Sequence, residues 1–196
     1  MPVKIQKPLP DRNRFLIANL LKGLLWLTVI VAGYLYLRKS YDFTLENVLG
    51  PVYNQPTVVY LIFLTSEVIF GIIPPEFFMI WSLRSEVLAT YINNIVALST
   101  ISYVAGIIGF GIGTYLKNTQ FYEQMKKCVF GKFEKHLNNY GGFLVVVAAL
   151  TPLPFSGIAM LVGSVHYSLK KYLWFSLFRL VRFAVYGIII WEAHIL

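Results

Sequence analysis

Two apolar stretches of this chain are each broken near the middle by a pair of prolines. The first reads Glu67-Val68-Ile69-Phe70-Gly71-Ile72-Ile73-Pro74-Pro75-Glu76, and the second Thr151-Pro152-Leu153-Pro154-Phe155-Ser156-Gly157. A proline inside a helix removes a hydrogen bond and clashes with the preceding turn, at a cost of about 3 kcal/mol. In a bilayer the freed carbonyls find no water, so such breaks survive only within protein or beside a wet cavity. Two of them in corresponding halves of a membrane chain point to a binding site for something carried across.

A membrane is indicated by composition. Of the 196 residues, 57% are apolar and 13% charged, against about 25% charged in soluble domains. The apolar residues come in long runs rather than in alternation, which predicts helices and excludes a barrel. The length suits one membrane domain. The formal charge is +8, but the basic residues gather at the ends of apolar runs, where they set topology and meet anionic lipid. Nucleic acid is therefore not an expected partner. Cys128 is the single cysteine, and His136, His166 and His194 are scattered. No disulfide, metal site or cofactor is expected. No nucleophile elbow, metalloprotease helix or phosphate loop occurs, so no enzyme is expected.

Five apolar blocks cover 15–37, 57–83, 87–116, 141–165 and 172–196. The first follows a basic tail, residues 1–14, with Lys4, Lys7, Arg12 and Arg14. It is 23 residues long and is followed by Arg38-Lys39, longer than the roughly 7–15 residues of a signal peptide's apolar region. It reads as a retained first span. Blocks 87–116 and 172–196 are also long enough to span. The proline-broken blocks are different. The two arms of block four, 141–151 and 155–165, have 11 residues each, or about 16 Å at helical rise. Neither crosses a core of about 30 Å alone. In block two the first arm nearly spans, so length does not decide.

Charge discriminates between two topologies. If both broken blocks are re-entrant hairpins and the N-terminus is cytoplasmic, residues 1–14, 117–140 and 166–171 lie inside. They hold four, five and two Lys/Arg, leaving Arg38, Lys39 and Arg84 outside. If both blocks are kinked crossings, the basic residues divide evenly. The positive-inside rule prefers the hairpins. One crossing, 87–116, then separates them, so they enter from opposite faces. The expected fold is an all-α integral membrane protein. It comprises an N-terminal transmembrane helix and an inverted repeat of two re-entrant helical hairpins, each followed by a transmembrane helix. Segment 117–140, with Phe121, Met125, Cys128, Val129, Phe133 and Leu137 at helical spacing, reads as an amphipathic helix on the cytoplasmic surface. A connector helix packed on the domain is the alternative.

Glu67 and Glu76 fall inside the first hairpin. An intramembrane carboxylate costs at least about 2.5 kcal/mol and marks function by default. Burial disfavours the charged carboxyl, so both are candidate proton carriers. Glu76 also follows Pro75 at a helix start, where the dipole alone would favour it. Arg179 and Arg182 share a helix face, and a guanidinium pair suits phosphate. Their alternative is snorkelling to the interface. Thr151, Ser156 and Gly157 add small polar groups and close backbone approach at the second tip. Gly109 and Gly113, with Gly106 and Gly111 nearby, favour tight helix packing. Asn93 and Asn94 suit hydrogen bonds between helices.

Over roughly 57–192 the chain resembles the DedA family, also called the SNARE-associated or VTT-domain family. The resemblance is carried by Glu67 with Pro74-Pro75-Glu76, by the glycine-rich stretch ending Gly113-Thr114-Tyr115, by Thr151-Pro152-Leu153-Pro154 followed by Gly163, and by the final span near Trp191. It implies two opposed re-entrant hairpins and a role in moving lipids, such as polyprenyl phosphates or phospholipids, between leaflets. For some members it implies dependence on the proton-motive force. Glu67 and Glu76 match the acidic positions of the family's first hairpin. Many bacterial members also carry arginines flanking the proline of the second hairpin. Here Ala148 to Val165 has no charge, and Arg179 and Arg182 are the candidates to substitute. The expected partners are membrane lipids, including phosphate-bearing ones, and protons, in a bacterial cytoplasmic membrane. A carrier of a small ion or solute and a non-transporting scaffold are the alternatives.

Overall fold

The computed structural model describes residues 12–41, 50–116, 134–165 and 167–195. Every element among the described residues is helical. Helix α1 runs Arg12–Tyr41. A 3-10 turn, Gly50–Val52, leads into α2, Pro56–Val68. After the first break come α3, Pro75–Trp81, and a second 3-10 turn, Ser82–Ser85. Helix α4 is Leu88–Leu116. Helix α5, Glu134–Leu150, and α6, Phe155–Ser164, flank the second break. Helices α7, Leu169–Ser176, and α8, Phe178–Ile195, close the chain. Among the described residues three stretches are long and apolar enough to span a membrane: Leu16–Tyr36, Leu88–Leu116 and Leu169–Ile195. Helix α5 begins seven residues before block four. The rest of the proposed amphipathic segment, 117–133, lies outside the described residues.

Both breaks are closed by local hydrogen bonds. After α2, Phe70 and Gly71 take left-handed backbone angles, φ 62° and 67°. Ser66 then satisfies the backbone that the helix gives up. Its carbonyl accepts from Gly71 N–H at 2.7 Å, and its hydroxyl accepts from Ile73 N–H at 2.8 Å. Pro74 and Pro75 have no N–H to satisfy, and Pro75 serves as a first-turn helix residue, where proline costs least. At the second break Thr151 ends α5 by donating both its N–H and its hydroxyl to Val147 O, at 2.9 and 2.6 Å. Pro154 O receives Ile158 N–H at 3.0 Å and starts α6.

Residues on either side of the first break pair in order. Phe63 meets Phe78 with ring centroids 4.8 Å apart, and Tyr60 meets Trp81 at 5.9 Å. Beyond them, Trp81 Nε1 and Arg84 Nη1 both donate to Tyr53 O at 2.9 Å. Around the second break, the ring of Tyr167 lies against Gly141, where an added Cβ would stand 3.0 Å from it.

The core has two parts. One gathers Phe63, Phe78, Met79 and Trp81 with Leu98, Phe183 and Ile190. The other gathers Phe110, Val145, Ala148, Phe155, Val162 and Tyr172. Between α4 and α6 the contact is backbone to backbone. A Cβ on Gly113 would fall 1.9 Å from Met160 O, and one on Gly163 would fall 2.2 Å from Phe110 O. Glycine here serves close approach, the packing use expected of small residues in membranes.

This joint is testable by contrast. Gly113→Ala should destabilise by about 1–3 kcal/mol, because a carbonyl cannot step aside as a side chain can. Gly111 faces open space, so Gly111→Ala should be neutral or stabilising by about 0.5–1 kcal/mol. Thermal unfolding in detergent should separate the two.

Candidate functional site

The first break is one side of the site, the second break the other, and α8 the floor. Arg179 and Arg182 stand three residues apart on α8, and their side chains point to the breaks rather than to either end of the helix. Both are buried, with 3% and 5% of their surfaces exposed, so snorkelling is not their role. In low dielectric an isolated guanidinium is untenable without a counter-charge, and each has one.

Arg179 Nη2 donates to Glu67 Oε1 and Oε2 at 3.0 and 2.8 Å. Its Nε donates to Ser102 Oγ at 2.8 Å, and that hydroxyl donates to Glu67 Oε2 at 2.6 Å. Ser102 on α4 thus ties α2 to α8. Arg182 Nη2 donates to Glu76 Oε1 at 2.7 Å, and its Nη1 donates to Thr151 O at 2.7 Å. That carbonyl stands in the second break, past the end of α5, so Arg182 holds both breaks at once. The last link is Ser156, whose hydroxyl donates to Glu67 O. Phe70 lies on Gly157, where an added Cβ would stand 2.8 Å from its ring.

Aromatic faces shield the cations. Arg179 lies over Phe155 at 4.8 Å and Phe183 at 5.6 Å, and Arg182 lies over Tyr186 at 4.9 Å. Such contacts are stronger when desolvated. Each pair leaves one atom over, a carboxylate oxygen in one and a guanidinium nitrogen in the other. Both oxygens of Glu67 are bonded, whereas Glu76 Oε2 and Arg179 Nη1 are buried without a hydrogen-bond partner among the described residues. Glu76 also occupies the first turn of α3, so the dipole and the arginine favour the same charge.

Of the residues singled out from the sequence, Glu67, Glu76, Thr151, Ser156, Gly157, Arg179 and Arg182 converge here. Pro74, Pro75, Pro152 and Pro154 act through the backbone they interrupt. Ser102, Phe155 and Tyr186 were not singled out. Ser102 shares the small-residue face of α4 with Gly106, Gly109 and Gly113, and that stripe was the available signal. Asn94 accepts a hydrogen bond from Tyr60 OH at 2.8 Å, joining α2 to α4 as expected of it. Asn93 is exposed.

Buried charge pairs at the meeting of two broken apolar segments, beside three stretches long enough to span, define a helical integral membrane protein. The VTT domain model matches residues 56–192, and the chain belongs to the VTT, or DedA/SNARE-associated, family. Proteins of this family are membrane proteins and generally not enzymes. No curated protein and no solved structure matches the chain. Helix α1 lies outside the matched region.

Removing one partner of a buried pair costs about 3–5 kcal/mol, because the other is left uncompensated. Arg179→Met should therefore destabilise strongly, and adding Glu67→Met should recover much of the loss. Ser102→Ala should cost about 1–3 kcal/mol, since Arg179 Nε is left buried and unpaired. A double-mutant cycle on thermal unfolding in detergent would measure the coupling.

Proposed function

We propose that this protein moves a lipid between the leaflets of a membrane, handling the headgroup where the two broken segments meet. The observation that weighs most is the pair of arginines on α8, each fully desolvated and each held by a carboxylate from the first break. Guanidinium forks suit phosphate oxygens as well as carboxylates. A phosphate-bearing headgroup would exchange with Glu76 on Arg182, because Glu76 is the carboxylate held through one oxygen only. The released carboxylate would take a proton on Oε2, keeping the buried charge balanced. The acyl or prenyl tails would stay in the bilayer throughout. Glu67, locked by Arg179 and Ser102, holds the frame.

The proposal includes the topology: two re-entrant hairpins over 57–83 and 141–165 entering from opposite faces, with the N-terminus cytoplasmic in a bacterial cytoplasmic membrane. The ordered contacts either side of the first break, the closeness of Gly141 and Tyr167, and the excess of basic residues in 1–14, 117–140 and 166–171 support it. A second reading is a proton-coupled carrier of a small ion or solute. It draws on the same unpartnered Glu76 Oε2 and requires an aqueous route. A non-transporting scaffold would need neither carboxylate.

In reconstituted vesicles the protein should accelerate exchange of a labelled phosphate-bearing lipid between leaflets, and Glu67→Gln should slow it. Intact protein without acceleration overturns the reading. Solute uptake driven by a pH gradient, without lipid movement, favours the carrier. Full activity with both glutamates neutralised favours neither transporter. Cysteines placed at 84, 120 and 168 check the topology. The hairpins put 84 on the face opposite the other two, whereas kinked crossings pair 84 with 168.

A further inference from the structure

Of the three stretches long enough to span, the one in α1 is the least buried. It lies outside the family domain, and its lipid-facing side is large: Leu21, Leu25, Val29 and Tyr36 are all more than half exposed. Among its residues whose burial is described, 16–36, Gly23, Leu27 and Ile30 are the buried ones. Leu27 and Ile30 join the cluster that contains Phe183, Tyr186 and Ile190 of α8. Gly23 is one helical turn away, and it touches the site's outer wall. A Cβ there would stand 3.0 Å from Pro152 Cδ and 3.0 Å from Tyr186 Oη. Pro152 follows the Thr151 carbonyl that Arg182 holds, and the Tyr186 ring covers the Arg182 guanidinium. One glycine of α1 therefore sits on the ring that covers the arginine and on the proline next to the carbonyl it holds.

The geometry points to α1 as a lateral door over Arg182, closed by the notch at Gly23 and opened by swinging off a narrow contact strip. A helix bound by so little buried surface opens at lower free energy than the core. The core of the site is held differently, by charge pairs and by backbone contact between α4 and α6. On the lipid-translocation reading, the species admitted is a lipid headgroup entering sideways while its tails remain in the membrane. The door itself does not depend on that reading, since it concerns access to a buried position.

The test uses the full chain with Cys128 replaced by alanine and a reporter cysteine at Thr151, a buried position on the covered tip. Reactivity toward a membrane-permeable maleimide is compared for glycine, alanine and leucine at position 23. Gly23→Leu should raise the reaction rate by about tenfold, the factor given by about 1.4 kcal/mol in the opening equilibrium. Gly23→Ala should fall between. A parallel reporter at Val162, buried in the cluster formed by α4, α5, α6 and α7, should stay unreactive in all three. An unchanged rate at 151 overturns the proposal, as does equal gain at 151 and 162, which marks general loosening. In wild-type vesicles, absent lipid exchange would overturn the translocation reading while leaving the door to stand or fall on the maleimide rates.

Discussion

Two arginines placed where water cannot reach them impose the architecture of this site. Desolvating a guanidinium costs several kcal/mol that only close, well-directed acceptors offset. Arg179 and Arg182 are on the last helix, while their carboxylates lie more than a hundred residues earlier. The chain must fold back on itself so that α2, α3 and α8 meet. Charge compensation in a low dielectric thus does what a disulfide does elsewhere: it fixes distant segments in register. Such a pair is weak as a source of net stability but strict as a specification of geometry.

The prolines complement this requirement. Each break releases backbone groups, of which some are recaptured locally and one is offered to an arginine. Ser66 recaptures at the first break, and Thr151 offers its carbonyl at the second. Arg182 then reads one side chain and one main-chain oxygen, drawn from two separate interruptions. That arrangement explains how a second break without charged residues of its own still joins a charged centre. The arginines come from the neighbouring helix instead.

Much of this was legible in the sequence, for definable reasons. Long apolar runs gave the spanning stretches, because only length and hydropathy matter for them. Carboxylates and guanidiniums within such runs stood out, since a charge there is costly wherever it points. Which carboxylate faces which arginine was not legible, because pairing depends on the rotation of α8 against two other helices. Ser102 was hidden for another reason: a serine in a membrane helix is cheap and commonplace, and its importance comes from standing between Glu67 and Arg179. The length of α5 was hidden by Lys135, His136, Asn138 and Asn139, whose polarity put the start of the apolar block after the start of the helix. Gly23 was invisible because its neighbours, Pro152 and Tyr186, are distant in the chain.

The glycine seam between α4 and α6 has a mechanical meaning. Gly113 rests on Met160 O and Gly163 on Phe110 O, so neither helix can advance or rotate by one residue without driving a Cβ into a carbonyl. The two rods are keyed together, with no rotamers available to accommodate slippage. Whatever rearrangement the molecule undergoes must carry α4 and α6 as a solid beam, and flexing is confined to the joints on either side of it.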